Sequence, residues 1–390
     1  MFCSNCGREI PEKSKFCPYC GAELAYEVKG TVQKKAGKPK KIIIPVIIIV
    51  GILICVLAFF KVIKPGAGSS VRREKLVTLI PYRAGDKWGY CDWNKNLVIK
   101  PTYDDAEPFE EGLAAVLLKN KWGFIDKKGK MVIEPIYGYA QSFEEGLAAV
   151  LLKNKWGFID KKGKMVIEPI YDNAGSFTEG LAPVELSGKW GFIDKKGKIV
   201  IGPIYDNTWG FQEGLASISL NDKYGFINKK GKMVIEPIYD NAEFFQEGLA
   251  LVALGPGVLN WKYGFINKKG KMVIEAIYDH AYSFADGQAP IRLNGRWGFI
   301  DRKGKFIIQP TYESPELWGF DGFFEGLAVF VEIEDNGEYR FNFGFIDKSW
   351  KIVIPPVYDF AQNFSGGISK VSFKGKRGYI DKKGTQYWED

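Results

Sequence analysis

The sequence predicts a mostly β fold: tandem three-stranded antiparallel β-meanders, stacked face to face as a propeller-like toroid or an open spiral, preceded by a small cysteine module and one transmembrane α-helix. Three observations carry this expectation. An aromatic-Gly pair recurs through the last four-fifths or so of the chain, four cysteines fall within the first 20 residues, and 19 uncharged residues run from Ile42 to Phe60. They divide the chain into a cysteine module (1–24), a basic linker (25–41), the apolar helix (42–60), a second linker (61–75) and an array of nine repeat units (76–390).

The cysteine module holds Cys3-Ser4-Asn5-Cys6-Gly7 and Cys17-Pro18-Tyr19-Cys20-Gly21, two Cys-x-x-Cys-Gly turns with ten residues between the inner cysteines. Two residues between thiolates let one tight turn aim both sulfurs at one ion, and two such turns complete a tetrahedral site. A disulfide pair or a redox dithiol is the competing reading. A 24-residue unit with little core needs a staple, and zinc folds such units outright. The segment resembles the short zinc-ribbon family found at the N-termini of many bacterial membrane proteins, and all four ligand positions match. One structural Zn2+ on Cys3, Cys6, Cys17 and Cys20 is expected, with no open position for catalysis.

At about 1.5 Å per residue, the run Ile42–Phe60 spans roughly 28 Å, close to the hydrocarbon thickness of a bilayer. A signal peptide would need a whole metal module inside its n-region, so an uncleaved anchor is the better reading. Flanking charge does not orient it, since six lysines precede the helix (Lys29, Lys34, Lys35, Lys38, Lys40, Lys41) and five basic residues follow (Lys61, Lys64, Arg72, Arg73, Lys75). Thiolates awaiting metal need a reducing compartment. The expectation is a single-pass cell-membrane protein, with its N-terminus cytoplasmic and residues 64–390 extracellular.

In the array, the aromatic-Gly pair stands at Trp88, Trp122, Trp156, Trp190, Tyr224, Tyr263, Trp297 and Phe343, with Arg377-Gly378 as a degenerate ninth copy. Residues 109–137 and 143–171 are identical over 29 positions. The unit reads Glu-Gly-Leu-Ala-x-Val, then Lys-Trp-Gly-Phe-Ile-Asp-Lys-Lys-Gly-Lys, then Val-Ile-Glu-Pro-Ile-Tyr-Asp. This resembles the bacterial WG-repeat family, which implies a β repeat and brings no catalytic residues with it. Each copy holds three β-prone runs, exemplified by Leu147 to Leu152, Trp156 to Asp160 and Met165 to Ile170, with no helical period. Asp160 and Gly163 suit the first and fourth positions of a hairpin turn. The first run is apolar on both faces, so neighbouring units must cover it. Nine complete meanders leave no strand over to clasp the two ends.

Composition narrows the function. With 46% apolar and 15% aromatic residues the chain is a folded one, and a formal charge of +8 from 54 basic and 46 acidic side chains is too evenly mixed for nucleic-acid binding. The one histidine, His280, stands where sister copies have Asn173, Asn207 and Asn241, and reads as a polar loop variant. Repeated tryptophans read as packing between units, repeated Asp residues as turn formers, and the Lys-Lys-Gly-Lys turns as charges interleaved with Glu-Glu-Gly at the same end of the meander. Function is expected where the pattern breaks. Two insertions, 255–261 and 334–340, lengthen the same hairpin in two units and carry Trp261, Tyr339 and Arg340; a third excess around 314–322 adds Trp318. The expected function is a membrane-anchored binding or structural protein of the cell envelope, with the array as interaction domain for an envelope protein or glycan and the ribbon meeting an unidentified cytoplasmic partner. A transmembrane sensor and an envelope glycan hydrolase are the alternatives. An enzyme is not expected, because nearly every carboxylate recurs at a repeat position.

Overall fold

The computed structural model describes residues 78–257, 260–312, 323–335, 339–349 and 351–389. The cysteine module and the apolar run lie outside these. Among the described residues no helix is long and apolar enough to cross a membrane. What is described is one compact unit, a nine-bladed β-propeller of small antiparallel sheets.

Blade 3 shows how the repeat builds a sheet. Its strands are Tyr139–Ala140, Leu147–Leu152, Lys155–Asp160 and Met165–Tyr171, hydrogen-bonded in that order. The three longer strands follow the β-prone runs. The first, of two residues, makes the unit a four-stranded sheet rather than a three-stranded meander, and it is too short to leave an alternation in the sequence. Lys153 and Asn154 both adopt positive φ, 51° and 61°, which gives the two-residue hairpin the twist its strands require. The next hairpin is closed by Asp160, whose Oδ1 accepts from the N–H groups of Lys162 and Lys164 at 2.9 Å. Gly163 follows at φ 79°.

The glycine of the aromatic-Gly pair has its own task. The third and fourth strands pair Trp156 with Tyr171, Phe158 with Ile167 and Ile159 with Met165, slipping register twice. This bulge carries the fourth strand across the third at Gly157, where a β-carbon would lie 2.6 Å from the Ile167 carbonyl oxygen and 2.8 Å from the Pro169 nitrogen. No other residue fits. Pro169 also removes a donor from this outer edge strand, which suppresses strand addition by another chain.

Blades pack face to face. Leu147, Ala149, Phe158, Ile167 and Tyr171 of blade 3 meet Ala174, Phe177, Ala182, Val184 and Ile193 of blade 4. Phe158 and Phe177 approach edge to face with centroids 5.0 Å apart, and the same pairing joins Phe124 to Phe143 and Phe265 to Phe284 at 4.8 and 4.7 Å. Each of these rings is buried, which stabilises the seam by roughly 1.5–3 kcal/mol per ring.

The ring is closed, against the expectation that no strand remained to clasp it. Trp388–Glu389 pairs in parallel with Ile80–Ala84, placing Trp388 opposite Arg83. The same segment stays tied to blade 9, because Tyr387 N–H donates to the Tyr379 carbonyl at 2.8 Å. Blade 9 therefore keeps three strands of its own (Phe360–Ala361, Ile368–Phe373, Lys376–Asp381), and the chain's last strand completes blade 1. Ion pairs Arg377–Asp105 at 2.9 Å and Lys370–Glu107 at 2.7 Å bind blade 9 to blade 2 beside the clasp.

Candidate functional site

Some of the repeated charges hold blades together. At the Asp-Lys-Lys-Gly end, the first lysine of each turn reaches the Glu-Gly corner of the preceding blade: Lys161–Glu111 at 3.0 Å, Lys195–Glu145 at 3.0 Å, Lys229–Glu179 at 2.9 Å and Lys382–Glu325 at 2.9 Å. Each glutamate also accepts a backbone N–H of the next blade, as Glu111 does from Gly146 at 3.0 Å. Glu111 holds positive φ to do so. The Lys161 hydrogen bond, opposed by desolvation and aided by charge attraction, holds its carboxyl below the usual range. At the opposite end, Lys223 pairs with Asp240 at 2.6 Å, and Lys155 and Lys189 pair with Asp172 and Asp206. Those aspartates accept the hairpin N–H of the next blade, Ser187 to Asp172 and Asn221 to Asp206 at 2.8 Å. The first lysine of these turns is thus stapled to a glutamate, while the second lysine and the one after the glycine, as Lys162 and Lys164 show, stay exposed.

The repeated tryptophans are packing residues. Trp88, Trp122 and Trp297 are buried, and Trp156 and Trp190 are half-buried against the seam clusters. Cys91 is buried as well, and burial pushes its thiol up to about 12, which leaves it unreactive.

Of the residues singled out in the insertions, Trp261 closes the lengthened hairpin of blade 6. It is half-buried, with its ring edge-on to Tyr263 at 6.5 Å. Tyr339 opens the middle of the three described strands of blade 8, opposite Asp335, so that insertion extends the ladder to nine-residue strands, Leu327–Asp335 and Tyr339–Asp347, instead of six. Arg340 is exposed, its guanidinium 3.9 Å from Asp359. Both hairpins join the strand before the aromatic-Gly strand to that strand, so they rise from the same face of the ring. Trp318 lies outside the described residues, as do Cys3, Cys6, Cys17 and Cys20.

His280 is not a loop residue. It forms the two-residue first strand of blade 7 with Ala281 and pairs with Arg292. Its ring lies 5.0 Å from Tyr263, 4.8 Å from Tyr282 and 5.7 Å from Trp297, centroid to centroid. Tyr282 stacks on Trp297 at 5.8 Å. Burial, helped by the nearby Arg292 charge, holds the imidazole below its ordinary pKa. Trp261, Tyr263, His280, Tyr282 and Trp297 therefore form one aromatic cluster across the seam of blades 6 and 7. Among the described residues, five buried side-chain polar atoms have no hydrogen-bond partner, and three are here: Trp261 Nε1, His280 Nδ1 and Trp297 Nε1. Leaving such groups unpaired costs about 1–3 kcal/mol each, which marks the cluster as a place where an acceptor would gain. Insertion length pointed to Trp261. Its partners carried a subtler signal, His280 and Tyr282 flanking Ala281 where blade 4 has Asn173 and Gly175 around Ala174.

The fold resembles that of a solved structure over most of both chains. The crystal structure of the eukaryotic initiation factor is similar at 10% identity, covering 80% of this chain and 94% of that one with a TM-score of 0.55. The WD40 domain of Neurospora crassa Pan2 aligns over 62% of this chain and 84% of its own at 14% identity, with a TM-score of 0.31. No curated protein matches the sequence. A zinc-ribbon domain model matches residues 2–24. The "WG containing repeat" model matches residues 88–122, 122–156, 156–190, 190–224, 224–255, 263–297, 297–332 and 343–376. Each match runs from the third strand of one blade toward that of the next, so eight matches are the eight covalent links between nine blades, the ninth link being the Trp388–Glu389 clasp. The chain belongs to the WG-repeat family.

Proposed function

We propose that the propeller is a binding domain, and that its partner is recognised on the face bearing the blade 6 and blade 8 hairpins, with half-buried Trp261 as anchor, backed by Tyr263, His280, Tyr282 and the buried Trp297. One observation carries this reading. Part of the repeated charge is engaged between blades, whereas the departures from the repeat gather aromatic rings with unpaired nitrogens at one seam. Aromatic anchors that become desolvated are the usual source of affinity in protein interfaces.

In the same reading the chain is anchored in the cell membrane by residues 42–60, with the propeller at the envelope and the ribbon in the cytoplasm. Four thiolates at Cys3, Cys6, Cys17 and Cys20 are a donor set that suits tetrahedral zinc, and the ion would fold the ribbon without taking part in chemistry. We read the propeller as a binder and not an enzyme, since its recurring carboxylates staple blades, cap turns or stand exposed at repeat positions. The test is capture from envelope extracts by the full chain, compared with Trp261→Ala and Arg340→Ala. A partner retained by the parent and lost tenfold or more with Trp261→Ala, at unchanged thermal stability, supports the reading. Equal capture by both variants removes this face from consideration.

A further inference from the structure

A second departure from the repeat lies at the seam of blades 4 and 5. Here Ala174, Gly175, Ser176, Thr178, Pro183, Trp190, Thr208, Trp209 and Gly210 line a hollow of about 270 Å3. Its origin is legible blade by blade. The position after the first-strand alanine carries a long side chain in sister blades, and that side chain fills the seam. Gln141 of blade 3 reaches across to the Ala174 carbonyl at 3.3 Å and accepts from Ser176 at 3.0 Å, and Glu243 of blade 6 accepts from Ser283 at 2.6 Å. Blade 4 has Gly175 there and spans nothing. On the facing blade, Gly210 stands where blades 4 and 7 have Ser176 and Ser283, and a β-carbon at Gly210 would lie 2.9 Å from Thr178 Oγ1. The hollow is left by the absence of a long side chain at Gly175, where a β-carbon would lie 2.8 Å from Pro183 Cγ.

What remains on the walls is chemically specific. Trp190 supplies a half-buried indole, and Trp209 a second that is 52% exposed, the largest apolar surface left uncovered beside the opening. Hydroxyls of Ser176, Thr178 and Thr208 complete the lining. The Thr208 hydroxyl is satisfied by the Ser217 carbonyl at 2.8 Å, but Thr178 Oγ1 is buried with no hydrogen-bond partner. No charged side chain lines the hollow. A charged ligand would be desolvated there without compensation. A purely apolar one would leave the Thr178 hydroxyl unpaired. A neutral pyranose answers both demands, with C–H faces that pack on indole and hydroxyls that both donate and accept. The volume falls just below the roughly 300 Å3 of the smallest pockets for drug-sized ligands, which suits one sugar ring rather than a long oligomer.

We infer that the hollow between blades 4 and 5 is a subsite for one neutral sugar ring of a glycan. It is separate from the aromatic cluster of blades 6 and 7, so either can fail without the other. The test titrates the full chain with chitotriose, maltotriose and a triuronate of similar length, following saturation-transfer NMR and tryptophan fluorescence. The expected result is saturable binding of a neutral trisaccharide with at least tenfold weaker response to the triuronate. Trp209→Ala should weaken it tenfold or more. Thr178→Val should weaken it several-fold. Gly175→Gln combined with Pro183→Ala recreates the pair that blade 3 carries as Gln141 and Ala149, and should fill the hollow and abolish binding while leaving thermal unfolding intact. Absence of saturation by either neutral sugar overturns the inference. So does binding that survives in the filled variant, or a preference for the triuronate.

Discussion

Three glycines of one propeller should respond to substitution in an order set by their surroundings. Gly157→Ala places a methyl 2.6 Å from the Ile167 carbonyl oxygen and 2.8 Å from the Pro169 nitrogen, where about 3.5 Å is comfortable. Both obstacles are backbone, so the fourth strand must retreat by about 1 Å and strain its bulged pairing with the third. Overpacking of this kind costs about 3 kcal/mol. Gly146→Ala meets no atom within 4 Å but sits at φ 89°, where a β-carbon costs roughly 1 kcal/mol. Gly202 lies within the fourth strand of blade 4 in open space and without positive φ, where sister blades have Glu134, Glu168 and Glu236. Gly202→Ala should be neutral or gain about 0.5 kcal/mol through the unfolded state. Urea unfolding of residues 76–390 by tryptophan fluorescence, with the slope checked for constancy, measures all three. A cost for Gly157→Ala below that of Gly146→Ala would refute the reasoning that the Trp-Gly glycine exists for the strand crossing.

The junction of blades 2 and 3 has Gly138 where other junctions have Asp104, Asp172, Asp206, Asp240 and Asp279. Since a β-carbon there makes only ordinary contacts of 3.6 Å, Gly138→Asp should restore the staple between Lys121 and the Lys153 amide and raise stability by about 0.5–1 kcal/mol, less at high salt. The folded-state pKa of His280 is depressed, so its neutral form contributes stability that is present above the unfolded value near 6.5 and is lost as pH falls toward the folded value. His280→Asn, the residue of blades 4 to 6, should flatten the stability difference between pH 7.5 and 5.5. A difference identical to that of the parent would exclude His280 as its source. For the ribbon, metal analysis of a reduced 1–30 peptide should find one zinc, and Cys3→Ser should abolish it; a ratio far below one removes the structural-zinc reading.

Strand runs and turns were legible because each depends on residues close in sequence: alternation in Met165–Ile170, an Asp-x-x-Gly corner at 160–163, apolarity on both faces of Leu147–Leu152. What the sequence concealed depends on distant partners. The clasp is written Gln386-Tyr387-Trp388-Glu389, which shares nothing obvious with the repeat, and its parallel pairing with Ile80–Ala84 exists only once nine blades have turned the chain through a full circle. The staples were hidden for the same reason. Glu111 and Lys161 stand 50 residues apart and read as two unrelated solvated charges until the blades are stacked. In the candidate site, Trp261 announced itself by an insertion, but His280 became meaningful only with Tyr263, Tyr282 and Trp297 around it.

The two most similar copies show where this scaffold lets function vary. Residues 109–137 and 143–171 are identical, yet the five residues just before them are Asp-Asp-Ala-Glu-Pro (104–108) in one copy and Gly-Tyr-Ala-Gln-Ser (138–142) in the other, sharing only alanine. The fold explains that alanine: Ala106 and Ala140 are buried beneath neighbouring sheets, where a small side chain is needed and blade 5 has the slightly larger Thr208. It also explains the freedom on either side. The ring is held by Phe-Phe contacts, the Lys–Glu staples and the strand-crossing glycines, all encoded within the identical 29 residues or their counterparts, while the Lys–Asp staples of the opposite end depend on the first of the five variable residues. Residues flanking the alanine are left to set the character of each seam. They give Asp105 and Glu107 for the ionic closure with blade 9, Gly175 for the hollow beside Trp209, and His280 and Tyr282 for the aromatic cluster. Within one chain, divergence has thus accumulated where side chains meet between blades without carrying the ring, and both candidate sites lie there.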